Sequence, residues 1–105
     1  MKLVRDNIPQ IIDEEGKSSE VEIRLLLDRV EKIKYLRKKV LEEATEVAEA
    51  YSRANLIEEI ADLREVCIAL MEQEGVTWGE VERARQAKKI EKGGFNLFYI
   101  FKKKD

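Results

Sequence analysis

Lys39-Val40-Leu41-Glu42-Glu43-Ala44-Thr45-Glu46-Val47 and, beyond the short segment Ser52-Arg53-Ala54-Asn55, Glu58-Glu59-Ile60-Ala61-Asp62 read as the two arms of a helical hairpin. At about 100° per residue, Ile33, Leu36, Val40, Ala44, Val47 and Tyr51 fall within about 40° of one line, an apolar stripe on the first arm. On the same projection Glu43 lies about 60° and Glu46 about 120° to one side of Val40. Glu42 and Glu49 project from the opposite face and read as solvated, whereas Glu43 and Glu46 flank the seam. On the second arm, Glu59 and Asp62 share a direction with Val66 and Ala69, away from Glu58, Glu65 and Glu72. Pairs 46 with 59 and 43 with 62 are each symmetric about the Ser52-Arg53 junction, so an antiparallel hairpin sets four carboxylates level, about 10–15 Å from the turn.

Working outward, the boundaries of the arms carry local signals. Asp28 with Glu31 predicts a capping box opening a helix over roughly 29–51. Asn55 with Glu58 predicts the next start, and Gly75 its stop. Thr77 with Glu80 opens a further helix that ends at Gly93-Gly94. A short helix containing Pro9, capped by Asp6 or Asn7, precedes Gly16. Residues 20–27 alternate, with Val21, Ile23, Leu25 and Leu27 on one side and Glu20, Glu22 and Arg24 on the other, which predicts a strand. The branched and aromatic run Phe95 to Lys102 predicts a second. Val66 to Met71 is apolar all round, which requires packing on more than one side and predicts a dimer with this helix at its interface. Trp78 and Cys67 read as core. The expected fold is therefore mainly α: one domain over residues 1–105, an antiparallel helical hairpin forming a four-helix bundle on dimerisation, and a small two-stranded β element from the N- and C-terminal segments.

Composition limits the chemistry. The 105 residues contain no histidine and one cysteine, which excludes His-based catalysis, His-ligated metals and a disulfide framework. With 22 acids against 20 bases, the net charge of -2 gives no electrostatic reason to expect nucleic-acid binding. An early charged N-terminus and the absence of a long apolar run predict a cytoplasmic protein with no membrane partner. Four converging, partly buried carboxylates need a positive charge to compensate them. A hard divalent cation held by oxygen, Mg²⁺ with Mn²⁺ as substitute, meets that need, although Glu-x-x-Glu spacing is also common on solvated, salt-bridged faces. Lys39 either pairs with Glu43 four residues on or binds a phosphate carried by the metal. Lys88, Lys89 and Lys92 either complement a helix C-terminus or cover a polyphosphate beside the flexible Gly-Gly. Arg5 and Asp6 either pair with each other or cap a helix.

Glu42-Glu43-Ala44-Thr45-Glu46 followed by Glu59-Ile60-Ala61-Asp62 resembles the signature of MazG-like nucleotide pyrophosphohydrolases, in the all-α NTP pyrophosphatase superfamily. Lys39 to Ala44 is similar to the phosphoribosyl-ATP pyrophosphohydrolase branch. Leu3-Val4-Arg5-Asp6-Asn7-Ile8-Pro9 and Lys92-Gly93-Gly94-Phe95 resemble the two ends of a small single-domain subgroup. The resemblance implies Mg²⁺-dependent cleavage of a nucleoside triphosphate between its α and β phosphates, giving monophosphate and pyrophosphate. It implies Glu43, Glu46, Glu59 and Asp62 as metal ligands and Glu42 as a candidate general base, with Lys39 as the accompanying catalytic candidate. A house-cleaning enzyme acting on non-standard or surplus nucleotides is the leading expectation. Phosphoribosyl-ATP pyrophosphohydrolase of histidine biosynthesis and a non-catalytic nucleotide-binding or oligomerising helical module are the alternatives.

Overall fold

The computed structural model describes residues 1–105 and is helical throughout its regular structure. Its elements are α1 (Ile8–Glu14), a 3₁₀ turn (Ser18–Glu20), α2 (Arg29–Ala48), α3 (Arg53–Glu74) and α4 (Trp78–Lys92). The chain forms two compact units, Met1–Gly75 and Val76–Asp105. No helix is long and apolar enough to cross a membrane.

Local chemistry sets each helix end. The Asp28 carboxylate accepts the Glu31 amide at 3.3 Å, satisfying one of the orphan donors of the first turn of α2. α3 opens one turn earlier than Asn55 predicts: Ser52 is its cap, its hydroxyl accepting the Asn55 amide at 3.0 Å. α2 correspondingly stops at Ala48, which leaves Tyr51 in the turn and 86 % exposed rather than on the apolar stripe. Gly75, at φ 67°, takes the left-handed conformation that ends α3. In the second unit, the Thr77 hydroxyl accepts the Glu80 amide while the Glu80 carboxylate accepts the Thr77 amide, a complete capping box for α4.

α2 and α3 pack against each other as an antiparallel pair. Arg29, the first residue of α2, donates from Nε and Nη2 to the Gln73 carbonyl in the last turn of α3, at 3.1 and 2.8 Å. That guanidinium satisfies a carbonyl with no intrahelical partner and ties the open end of the hairpin. Burial between the arms is slight. Leu36 is the only buried apolar residue, while Ile33, Val40, Val47 and the whole run from Val66 to Met71 are half-buried. Ala44 is exposed, and Trp78, read from sequence as core, is 47 % exposed.

The two-stranded β element does not form, and neither segment predicted to supply it is a strand. Residues 18–20 turn as 3₁₀ helix, and the extended chain beyond them has no ladder partner. Its Arg24, expected on the wet face of a strand, instead forks onto both oxygens of Glu31 at 3.0 and 3.3 Å. In the C-terminal run Phe98 adopts φ 56°, which breaks the side-chain alternation at its centre. Alternation supplies a face but no hydrogen-bonding neighbour, and a strand exists only with one.

Candidate metal centre

Midway along the hairpin, the inner face carries acids where apolar residues would be expected. Glu43 on α2 is buried, with only 6 % of its surface exposed. Its Oε1 receives Lys39 Nζ at 3.3 Å, and the same ammonium lies 3.1 Å from Glu42 Oε1. Burial pulls the Lys39 ammonium down, but its hydrogen bonds to Glu42 and Glu43 outweigh that effect and raise its pKa. Across the seam, Glu59 Oε1 on α3 accepts Asn55 Nδ2 at 3.2 Å. The second oxygens of Glu43 and Glu59 are both buried and have no hydrogen-bond partner.

Glu46, one turn along α2 from Glu43, completes the group: one oxygen each of Glu43, Glu46 and Glu59 lie within 4.8 Å of one another. Hydrogen bonding with Glu59 is the foremost influence on the Glu46 carboxyl. Repulsion from Glu59, burial and the charge of Glu42 add to it and raise the pKa, against a smaller opposing pull from Lys39. The Glu46 carboxyl is raised because its negative charge would face that of Glu59 across the seam.

Asp62 is not in this trio. Its Oδ1 receives Arg5 Nη2 at 2.6 Å, an ion pair spanning 57 positions of the chain. The Arg5 side chain therefore neither pairs with Asp6 nor caps α1, although the Arg5 carbonyl accepts the Ile8 amide at 3.1 Å. Lys2 of the same segment lies 3.9 Å from Glu42. Exposure divides the glutamates of α2 differently from the helical projection: Glu43 is buried and Glu49 exposed as expected, but Glu42 is half-buried and Glu46 exposed. Glu42 is contacted by Lys39 at 3.1 Å and by Lys2 at 3.9 Å, the second of which a projection of α2 alone leaves out. Lys88, Lys89 and Lys92 all lie exposed on α4, in the unit 76–105, and Lys89 and Lys92 occupy its last turn. Asn55 joins the site through Glu59, and its spacing of four before that residue is the signal for it in the sequence. Nothing in the sequence pointed Arg5 or Lys2 at residues so distant in the chain.

Orphaned buried carboxylate oxygens carry a large desolvation cost, and the donors converging here are oxygen only. Both properties fit a hard divalent cation, which Glu43, Glu46 and Glu59 would hold through carboxylate oxygen. The sequence pattern of the family described as phosphoribosyl-ATP pyrophosphohydrolase matches residues 6–89. The chain belongs to that family. This phosphoribosyl-ATP pyrophosphohydrolase family member is thus of a MazG-like, all-α NTP pyrophosphatase type, and its family is one of divalent-metal-dependent pyrophosphohydrolases. No curated protein and no solved structure gives a significant match. The match enters after Arg5 and spans all four carboxylates and α4 as far as Lys89.

Proposed function

We propose that the protein is a Mg²⁺-dependent nucleotide pyrophosphohydrolase that cleaves a non-standard or surplus nucleoside triphosphate to monophosphate and pyrophosphate. The observation that carries this reading is the pair of unpartnered, buried oxygens of Glu43 and Glu59 within a three-carboxylate cluster, in a family of pyrophosphohydrolases. Glu43, Glu46 and Glu59 would hold the ion, joined by Asp62 once Arg5 releases it. Bound Mg²⁺, with Mn²⁺ as substitute, supplies charge neutralisation on phosphate oxygens and lowers the pKa of an attacking water.

The chain's own residues supply the rest. Lys39 bridges Glu42 and Glu43 and would hold both carboxylates in place. With Oε1 of Glu42 engaged by Lys39, we assign Oε2 to take the proton as water oxygen bonds to phosphorus and the anhydride oxygen leaves. Lys88, Lys89 and Lys92 are retained as candidates for polyphosphate contact. The family match runs through both units, and we read the chain as one functional domain of a cytoplasmic enzyme. Leu41, Ile57 and Ile60 are 71 %, 54 % and 49 % exposed on the hairpin, and a second copy would cover such surface by completing a four-helix bundle. Light scattering at micromolar concentration tests this: a stable monomer contradicts it.

Pyrophosphate release from a nucleotide panel tests the activity. The expected result is release from a nucleoside triphosphate with Mg²⁺ and none with chelator; no release from any nucleotide overturns the reading. The family description supports phosphoribosyl-ATP as the alternative substrate, and turnover confined to it would place the protein in histidine biosynthesis instead. A protein that binds neither Mg²⁺ nor a non-hydrolysable triphosphate in calorimetry is a non-catalytic helical module.

A further inference from the structure

The N-terminal segment is tied to the acidic cluster at two points, one on each arm of the hairpin. Lys2 approaches Glu42 on α2, Arg5 holds Asp62 on α3, and Leu3 between them is half-buried. Asp62 is three residues beyond Glu59, on the same face of α3, yet its carboxylate is committed to a guanidinium rather than to the trio. One carboxylate thus has two prospective partners, an arginine and a cation.

We propose that Arg5 is the counter-ion of Asp62 while the acidic site is free of metal, and that it moves from Asp62 to a phosphate oxygen of the substrate once a divalent cation engages that carboxylate. The inference rests on the proposed metal-dependent reading of the site. Three features of the contact support it. Arg5 uses a single nitrogen on a single oxygen of Asp62, leaving the rest of its donor fork uncommitted. The Arg5 side chain is 60 % exposed and that of Asp62 40 %, so water can replace either partner as the pair separates. The Lys2–Glu42 contact is independent of Arg5, so the segment would keep a second tie to the site and leave a planar, permanently charged donor fork available to a metal-bound polyphosphate. The transfer is charge-balanced: the cation takes over the carboxylate, and the freed guanidinium meets the anion that arrives with the cation.

Calorimetric titration of the full-length chain with Mn²⁺ alone, and then with a non-hydrolysable triphosphate at saturating Mn²⁺, tests the inference on Arg5→Met and Arg5→Lys. Without its competitor, Arg5→Met should bind Mn²⁺ about two- to fivefold more tightly than wild type. The same variant should bind the triphosphate at least about tenfold more weakly. Arg5→Lys keeps the charge and loses the fork, so its Mn²⁺ affinity should stay close to that of wild type while its triphosphate affinity falls. Should Arg5→Met not fold, Arg5→Lys carries the test through the triphosphate arm. Unchanged triphosphate affinity in the variants, or weaker Mn²⁺ binding by Arg5→Met, overturns the inference and leaves the metal site standing. Failure of wild type to bind Mn²⁺ overturns the metal site itself.

Discussion

The inner and outer faces of the α2–α3 hairpin carry the same residue types under opposite conditions. On the outer face Glu49, Glu58, Glu65 and Glu72 are exposed to water. On the inner face Glu43 is buried, Glu43 and Glu59 each leave an oxygen without a partner, and Glu46 has a raised pKa. Spacing along a helix does not distinguish the two sets, since Glu-x-x-Glu serves both. The difference lies in what the opposite helix offers: more acid for the inner set, solvent for the outer. The inner face consequently carries a free-energy deficit that a bound cation would remove, and the outer face carries none.

Catalysis gives the largest test of that contrast. Glu59→Gln preserves shape and removes one inner carboxylate; its pyrophosphohydrolase rate should fall more than about 100-fold, beyond the loss typical of residues that only support metal ligands. Glu58→Gln, one position away on the outer face, should retain the wild-type rate. Equal losses in the two variants would erase the distinction between faces.

Thermal unfolding reads the same contrast without turnover. At Mg²⁺ 100 times its dissociation constant, wild type should gain about 2.7 kcal/mol over the chelated protein. Glu49→Gln should keep that gain and Glu59→Gln should lose most of it. If Mg²⁺ stabilises none of the three, the inner face binds no cation.

Adjacent lysines sharpen the comparison further. Lys39 is the hydrogen-bonded cation of buried Glu43, whereas Lys38 lies over the Tyr35 ring at 5.2 Å from its centroid. In chelator, Lys39→Met should cost about 2 kcal/mol because it strands a buried carboxylate. Lys38→Met should cost less than about 1 kcal/mol. Saturating Mg²⁺ should narrow the first difference and leave the second unchanged, as read by denaturant midpoints.

The smallest expected effect is a slope. The Glu46 carboxyl has a higher pKa in the folded protein than in the unfolded chain, so the native state holds that proton more tightly. Its contribution to stability in chelator is full below the ordinary carboxylate pKa and is lost as pH rises through the raised value. Glu46→Gln should therefore show a flatter stability profile across that window in denaturant titrations at stepped pH. A Glu46→Gln profile parallel to wild type would mean that Glu59 does not raise the Glu46 pKa.

Helix positions and the hairpin register were legible in the residues because they follow from contacts within a few positions. Asp28, Thr77 and Gly75 act on amides or carbonyls one turn away, and the 3.6-residue repeat places Glu43, Glu46 and Glu59 on facing sides once the turn is short. Even there, Ser52 rather than Asn55 caps α3, since either side chain suits a cap and only the path of the turn chooses between them. Three outcomes required the folded chain. Residues 20–27 alternate as a strand does and 95–102 are branched and aromatic as a strand is, but strand formation depends on a partner that neither feature specifies. Asp62 has the spacing of the cluster and is held instead by Arg5, a residue 57 positions away. Glu42, solvated on a projection of its own helix, is half-buried under Lys39 and the N-terminal segment. The sequence by itself determined which side chains share a helix face, because a short-range repeat sets it. Which of them found water, a cation or each other was decided only by tertiary structure, because burial and ion pairing depend on segments distant in the chain.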